Sequence, residues 1–103
     1  MILNRYAIAM HANDNVATAV KNIQLKEKIE LIVDGNSREI EIKDPIPLGH
    51  KFAIKPIIKG QDIVKYGECI GKATEDIDIG KRVHVHNVES TRGRGDLLKK
   101  TMK

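Results

Sequence analysis

The sequence predicts a mostly-β domain of short antiparallel strands with one short helix. Isoleucine and valine together number 22, against six leucines, and aromatic residues make up only 3% of the chain. Side chains branched at Cβ suit a pleated surface better than a helix. Glycine and proline interrupt the second half at short intervals, which is typical of tight turns between strands. The 103 residues leave room for one domain, and no internal repeat is evident.

The helix is predicted near residues 14–23. Its apolar positions follow the i, i+3, i+4, i+7 spacing of an amphipathic helix and are Val16, Ala19, Val20 and Ile23. Asn13 or Asp14 stands where a side chain can cap the first free N–H groups. An anion-binding helix N-terminus is the alternative for residues 11–15, but the carboxylate of Asp14 would repel an anion.

Strands account for the remainder of the domain. Residues 29–33 and 39–43 flank Asp34-Gly35, a sequence that favours a hairpin turn, and Ile40 and Ile42 alternate with charged residues. The two prolines of residues 44–47 predict an extended connector. The further strand candidates are residues 50–54, 57–58, 63–66, 69–74 and 82–88.

Charge is distributed unevenly along the chain. The 18 basic and 14 acidic residues give a net charge of +4, yet residues 1–91 hold 13 of each sign. We therefore expect one neutral β domain over residues 1–91 and a basic, flexible tail over residues 92–103. A neutral body with three aromatic residues argues against nucleic-acid binding. The alternative is that the basic tail alone binds RNA or DNA.

Composition and length also bear on the cellular compartment, on the role of cysteine and on the size of a possible binding cleft. No apolar run approaches the roughly 20 residues that span a bilayer, and the first residues lack a signal peptide's pattern, so we expect a cytoplasmic protein without a membrane partner. Cys69 is the single cysteine, which excludes an internal disulfide, and we expect it to be buried as a small apolar residue. So small a domain can form only a shallow cleft from its own walls, which suggests a partner chain.

The residues best suited to metal binding or proton transfer lie in the segment from Arg82 to Asn87. On a strand, His84 and His86 would point to the same face with Cα atoms about 6.6 Å apart, while Val83 and Val85 would face the core. Two neighbouring imidazoles can share a divalent metal, or one can bind it while the other transfers a proton. Exposed strand histidines without a role are the alternative. Lys65 and Tyr66, beside Gly67, could bind an anion or simply lie at the solvated rim of the core.

Five segments together resemble the SAF domain of the altronate/galactarate dehydratase family. They are His11-Ala-Asn-Asp-Asn-Val16, Ile46-Pro-Leu-Gly-His-Lys-Phe-Ala-Ile54, Ile63-Val-Lys-Tyr-Gly67, Ile70-Gly-Lys-Ala-Thr74 and Val83-His-Val-His-Asn-Val88. The resemblance covers roughly residues 6 to 95, in order. It implies a β-clip, in which short strands fold back over one another.

The resemblance also implies a function. We expect the small subunit, or an N-terminal domain, of a hydro-lyase that removes water from a sugar acid such as altronate to give a 2-keto-3-deoxy acid. The partner would be a large catalytic subunit that shares a divalent metal, Fe²⁺, with this chain, and the chain alone would be inactive. His84 and His86 are the expected catalytic and metal-binding residues; Asn87, His50 and His11 are the expected substrate-binding residues.

Two other interpretations stay open. A sister branch of the family releases sulfite from sulfolactate and has a similar small subunit. SAF domains on other proteins assist in carbohydrate recognition, so a non-catalytic carbohydrate-binding module is the second alternative, although three aromatic residues offer little surface for stacking on sugar rings. Assembly of several copies of the chain is also compatible with the sequence.

Overall fold

A computed structural model describes residues 7–8, 12–33 and 36–90, and this part of the chain contains nine strands and no helix. The strands are β1 Ala7–Ile8, β2 Val16–Ala19, β3 Lys28–Val33, β4 Asn36–Glu41, β5 Lys51–Ala53, β6 Asp62–Lys65, β7 Glu68–Ala73, β8 Arg82–Val83 and β9 Val88–Glu89. Nothing in the described ranges forms a helix that could cross a membrane.

The strands form three small antiparallel sheets. The first has the order β1-β2-β5-β8, the second is the β3-β4 hairpin, and the third has the order β6-β7-β9. The mostly-β prediction is therefore confirmed. The predicted hairpin is also confirmed, since β3 and β4 pair from Lys28↔Glu41 to Val33↔Asn36, and Ile40 is buried on β4 while Ile42 is buried just beyond it.

The predicted helix near residues 14–23 is wrong. Residues 16–19 form β2, which pairs with β1 on one side and with β5 on the other, with Val16 opposite Ala53 and Ala17 opposite Phe52. Both faces of this strand pack against apolar side chains, so the sequence shows no polar alternation. For this reason the apolar spacing of the segment looks like that of an amphipathic helix, although the backbone of β2 forms its hydrogen bonds with neighbouring strands.

One turn structure occurs four times in the described chain, at residues 24–27, 47–50, 58–61 and 78–81. In each, the N–H of the fourth residue donates to the carbonyl of the first at 2.9–3.1 Å. The third residue always has a positive φ, which is the mark of a type II turn; these residues are Lys26 (73°), Gly49 (85°), Gly60 (90°) and Gly80 (91°). The recurrence is one of backbone structure, since the four turns are unevenly spaced along the chain.

The four turns pair reciprocally, two and two. A buried isoleucine precedes each turn, and Ile23 pairs with Ile46 as Ile57 pairs with Ile77, through N–H···O bonds of 2.7–2.9 Å in both directions. Each of these four side chains is 3% exposed or less. The positive-φ residues donate to carbonyls of the partner half: Lys26 to Ile42, Gly49 to Ala19, Gly60 to Ala73 and Gly80 to Ala53. The chain is folded over itself, in agreement with the β-clip expectation.

The four-stranded sheet lies between two apolar clusters. Ala17 and Phe52 face the larger cluster, which also takes the buried side of the β3-β4 hairpin, whereas Val16 and Ala53 face the smaller one. Alternate residues of a strand point to opposite faces, so a sheet covered on both sides contributes to both clusters. The polar side chains of its two central strands, Thr18 and Lys51, lie opposite each other towards one end of the sheet.

Several predicted elements differ from the structure. Of residues 57–58, only Ile57 takes part in pairing, through its bridge to Ile77. The predicted strand 82–88 is broken by a turn into β8 and β9. Cys69 is exposed on β7, so its predicted burial is wrong; its Sγ donates to the carbonyl of Gly71 at 3.4 Å. The predicted tail, residues 92–103, lies outside the described residues.

The repeated turns allow a matched test at two glycines with nearly the same φ. A Cβ at Gly60 would meet no atom within 4 Å, whereas a Cβ at Gly80 would overlap the carbonyl oxygen of Glu41. We expect Gly60→Ala to cost about 1 kcal/mol of unfolding free energy, the usual strain of a left-handed residue. Gly80→Ala should cost about 3 kcal/mol or more, because overlap is added to that strain. Urea denaturation of both variants measures the difference, and equal losses would contradict the close packing of the turns.

Candidate functional site

The segment that carries His84 and His86 is a turn and not a strand. β8 ends at Val83, and the N–H of Asn87 donates to the carbonyl of His84 at 3.0 Å. The predicted same-face placement of the two histidines on a strand is therefore wrong, and Val85, predicted to face the core, is 82% exposed.

Asn87 holds the turn that follows β8. Its side-chain Oδ1 accepts from the N–H of His84 at 2.9 Å, and its Nδ2 donates to the carbonyl of Arg82 at 2.9 Å. The residue is 3% exposed. The buried amide thus bonds to backbone groups on the outer edge of β8, the edge away from β5. Asn87, expected to bind substrate, uses its described hydrogen bonds to hold the histidine turn, which we define as residues 84–87.

The histidine turn brings His84 against His50. Their rings stack with centroids 4.4 Å apart and planes inclined by 24°. The stack continues the direction of the β5-β8 ladder: Phe52 pairs with Arg82, Lys51 pairs with Val83, and His50 and His84 are the residues just beyond the end of each strand. Nδ1 of His50 is buried and has no hydrogen-bond partner among the described residues. The sequence predicted both residues but not their contact, since 34 positions separate them.

The surroundings of His84 favour its neutral form. Loss of hydration lowers the pKa of its imidazole below the ordinary value of 6.5, and the positive charges of His50, Arg82, Lys51 and His86 lower this pKa further. At neutral pH the ring therefore has a lone pair available, which is the state needed to accept a proton or to bind a metal.

A second group of polar side chains lies beside the stack. Lys51 is half-buried on β5, directly opposite Thr18 of β2, so both side chains project from the same face of the sheet. Burial lowers the pKa of the Lys51 ammonium, and the positive charge of Lys65 on β6 adds to this effect. The Oγ1 of Thr18 is buried without a hydrogen-bond partner in the described structure. We call Thr18, Lys51 and Lys65 the lysine cluster.

Two buried polar residues hold β6 in this position. Asn15 accepts from the N–H of Val64 at 2.7 Å and donates its amide to the carbonyl of Asp62 at 2.8 Å. Oδ1 of Asp14 accepts from the N–H of Gly67 at 2.8 Å, in the turn that joins β6 to β7. Asp14, expected to cap a helix, instead ties this hairpin to the start of β2. Lys65 is brought beside the four-stranded sheet as a result.

The described residues do not by themselves fit a divalent metal. No group of three or more His, Cys, Asp or Glu side chains comes together among them. The two imidazoles that do meet are stacked, and because imidazole lone pairs lie in the ring plane, nearly parallel stacked rings cannot direct two lone pairs at one ion. His11, the remaining expected site residue, lies outside the described residues.

Sequence reasoning missed Thr18 and Lys51. Lys51 had a weak signal, because it follows His50 directly in the chain. Thr18 had none, since its importance arises from the strand register that places it opposite Lys51 and from the burial of its hydroxyl.

The fold and site define a small β domain with histidine and lysine side chains gathered at one end of its central sheet. The sequence profile of the altronate/galactarate dehydratase SAF domain matches residues 5–91. The chain belongs to that family.

Curated relatives agree with this assignment. The chain is 42% identical over 83 residues to altronate dehydratase of Bacillus subtilis, which covers 81% of this chain and 16% of the relative. It is 41% identical over 83 residues to the altronate dehydratase of Escherichia coli, again 81% of this chain and 16% of the relative. With the (2R)-sulfolactate sulfo-lyase subunit alpha of Paracoccus pantotrophus it shares 39% identity over 59 residues, 57% of this chain and 88% of that subunit.

These relatives are lyases of two architectures. The chain spans about one sixth of the altronate dehydratases but most of the Paracoccus subunit. Similar sequence therefore occurs both as part of a long polypeptide and as most of a short one named as a subunit. The family's enzymes are dehydratases and sulfo-lyases, so the chain belongs to a lyase family.

The stack with His50 should be visible in the titration of His84. In the intact chain we expect His84 to titrate below 6.5, and in His50→Ala its pKa should rise, because both the burial and the positive charge that lower it are reduced. A pH series of ¹H–¹³C spectra of the imidazole CH groups measures both values. An unchanged pKa in the variant would contradict the stacked arrangement.

The same pKa predicts the sign of the pH effect on stability. The unfolded chain holds the His84 proton more tightly than the folded chain, so acid favours unfolding at this residue. The contribution of His84 to stability should be present above pH 6.5 and be lost as pH falls from that value toward its folded-state pKa.

Proposed function

We propose that the chain is the small subunit, or the N-terminal SAF domain, of a sugar-acid hydro-lyase that acts only together with a larger catalytic subunit. The reaction would remove water from an altronate-like acid and give a 2-keto-3-deoxy acid. The observation that carries this proposal is the 42% identity to an altronate dehydratase over 81% of the chain. The relative's greater length supplies the expectation of a larger catalytic part.

The histidine turn is the part of this chain that suits such a reaction. Dehydration of a sugar acid removes a proton next to the carboxylate and delivers a proton to the departing hydroxyl group. A neutral His84 can accept a proton, and His86, exposed on the same turn, is accessible to a partner surface. His50 positions the His84 ring through the stack. We therefore place the end of the sheet that holds His50 and the histidine turn against the catalytic subunit.

The proposal assigns the divalent ion, Fe²⁺, to a site that the two subunits share. The larger subunit would supply most ligands, since the described residues of this chain bring together no group of three or more candidate ligands. His84 or His86 is the contribution expected from this side. The isolated chain should accordingly bind metal weakly, and acid should weaken the binding further, because a protonated imidazole cannot act as a ligand.

A second candidate is the small subunit of a sulfolactate sulfo-lyase. The match over 88% of the Paracoccus subunit favours it, because that relative consists almost entirely of sequence alignable with this chain. The two candidates share the fold and the partner arrangement and differ in the group that leaves. Assays for keto-acid formation and for sulfite release on the same preparation separate them.

The proposal predicts that the purified chain is folded but catalytically silent. Its described residues bring together no group of three or more candidate metal ligands. Altronate, galactarate and sulfolactate are incubated anaerobically with Fe²⁺ and the chain, with and without the larger catalytic subunit, while keto acid and sulfite are measured. Turnover only in the mixture is the expected result; robust turnover by this chain alone would refute the subunit proposal.

Replacing either histidine of the turn should separate folding from activity. His86→Ala should change stability by about 0.5 kcal/mol or less, as is usual for an exposed position, whereas His84→Ala should cost about 1 kcal/mol because it removes the stack with His50. In the complex each should lower turnover by about a hundredfold, the scale of a lost proton-transfer group or a disturbed metal shell. His50→Ala should have a milder effect. Variants that assemble normally and keep near-normal turnover would show that the histidine turn lies outside the active site.

A further inference from the structure

Lys51 is half-buried and has no carboxylate partner among the described residues. Lys72 pairs with Asp62 at 2.8 Å, and Lys81 lies 3.9 Å from Asp44. No ion pair joins Lys51 to a carboxylate within the described residues. Its titratable neighbours there are His84 and the ammonium group of Lys65, whose Nζ lies 5.0 Å from the centre of the Tyr66 ring. Two like charges near each other repel, and an anion bound between them would relieve the repulsion.

The hydroxyl group of Thr18, opposite Lys51, lacks a hydrogen-bond partner among the described residues. Buried polar groups are almost always hydrogen-bonded, yet the Oγ1 of Thr18 has no partner among the described residues. The cross-strand register sets this hydroxyl beside the stem of Lys51. A hydroxyl can donate to a carboxylate oxygen while ammonium groups donate to the same carboxylate. The two unmet requirements, for a hydrogen-bond acceptor and for negative charge, are met by one ligand.

We propose that the lysine cluster of Thr18, Lys51 and Lys65 binds the carboxylate of the substrate. The ligand class, a sugar acid, rests on the proposed function; the need for an anion rests on the cluster itself. Lys51 follows His50 in the chain and lies opposite Val83, the residue before His84. The side chains of Lys51 and His84 project from opposite faces of the sheet, but the charge of Lys51 is near enough to lower the pKa of His84. An acid bound at the cluster therefore lies at the same end of the sheet as the histidine turn. A carboxylate at this position would receive charge-assisted hydrogen bonds, which are stronger than those between neutral groups.

The experiment titrates the ¹⁵N-labelled full chain with D-altronate, with inorganic sulfate and with sodium chloride at matched ionic strength, following amide shifts in ¹H–¹⁵N spectra. We expect altronate to cause saturable shifts at the three residues of the cluster. Lys51→Met and Lys65→Met should each weaken binding about tenfold or more, the scale of one lost charge-assisted hydrogen bond. Thr18→Val should keep the fold and also weaken binding.

Lys72→Met is the matched control, because it also removes one positive charge but from an exposed lysine that is already paired with Asp62. It should leave altronate binding within about twofold. Equal weakening by Lys72→Met, binding of sulfate as tight as that of altronate, or the absence of saturable shifts would each overturn the proposal.

The failure of this proposal is distinguishable from that of the proposed function. Altronate binding by a chain that supports no lyase activity in the complex would keep the lysine cluster and reject the function. Lyase activity that persists in Lys51→Met with an unchanged KM would reject the cluster and keep the function.

Discussion

The reciprocal pairing of the four type II turns is the constraint on which the rest of this structure depends. No helix in the described chain supplies local hydrogen bonds, and several strands are only two to four residues long. Such strands are stable only if the turns between them are fixed, and each turn is fixed by carbonyl and N–H groups of its partner half. The buried pairs Ile23↔Ile46 and Ile57↔Ile77 make that exchange possible, because they bring the two halves of each pair into contact in an apolar environment.

The same constraint places the functional groups. The turn at residues 47–50 ends in His50, and the turn at residues 78–81 leads directly into β8 and the histidine turn. Pairing of β5 with β8 then makes the meeting of His50 and His84 a consequence of the ladder. The buried Asp14 and Asn15 act in the same way on the other side of the sheet, since they hold the β6-β7 hairpin that carries Lys65. The histidine and lysine side chains of the candidate site thus lie at one end of the four-stranded sheet.

The sequence predicted those features that depend on local pattern. The β3-β4 hairpin followed from Asp34-Gly35 and from alternation on its second strand, and the β class followed from the excess of isoleucine and valine. Elements that depend on tertiary contacts were missed. β2 is covered on both faces, which removed the alternation that identifies a strand. Residues 84–87 form a turn that is held by hydrogen bonds from the buried side chain of Asn87 to the backbone of Arg82 and His84. The four type II turns could not be predicted as a repeat, because few residue types recur in them and they are unevenly spaced along the chain.

The central claim is that the end of the sheet with His50 and the histidine turn faces the catalytic subunit of a lyase. Hydrogen–deuterium exchange of the chain, alone and in complex with that subunit, tests it most directly. Amide N–H groups at residues 50–51 and 84–87 should become protected in the complex, while those of the β3-β4 hairpin should exchange as in the free chain. A complex that protects the hairpin and leaves residues 84–87 unchanged would contradict the account.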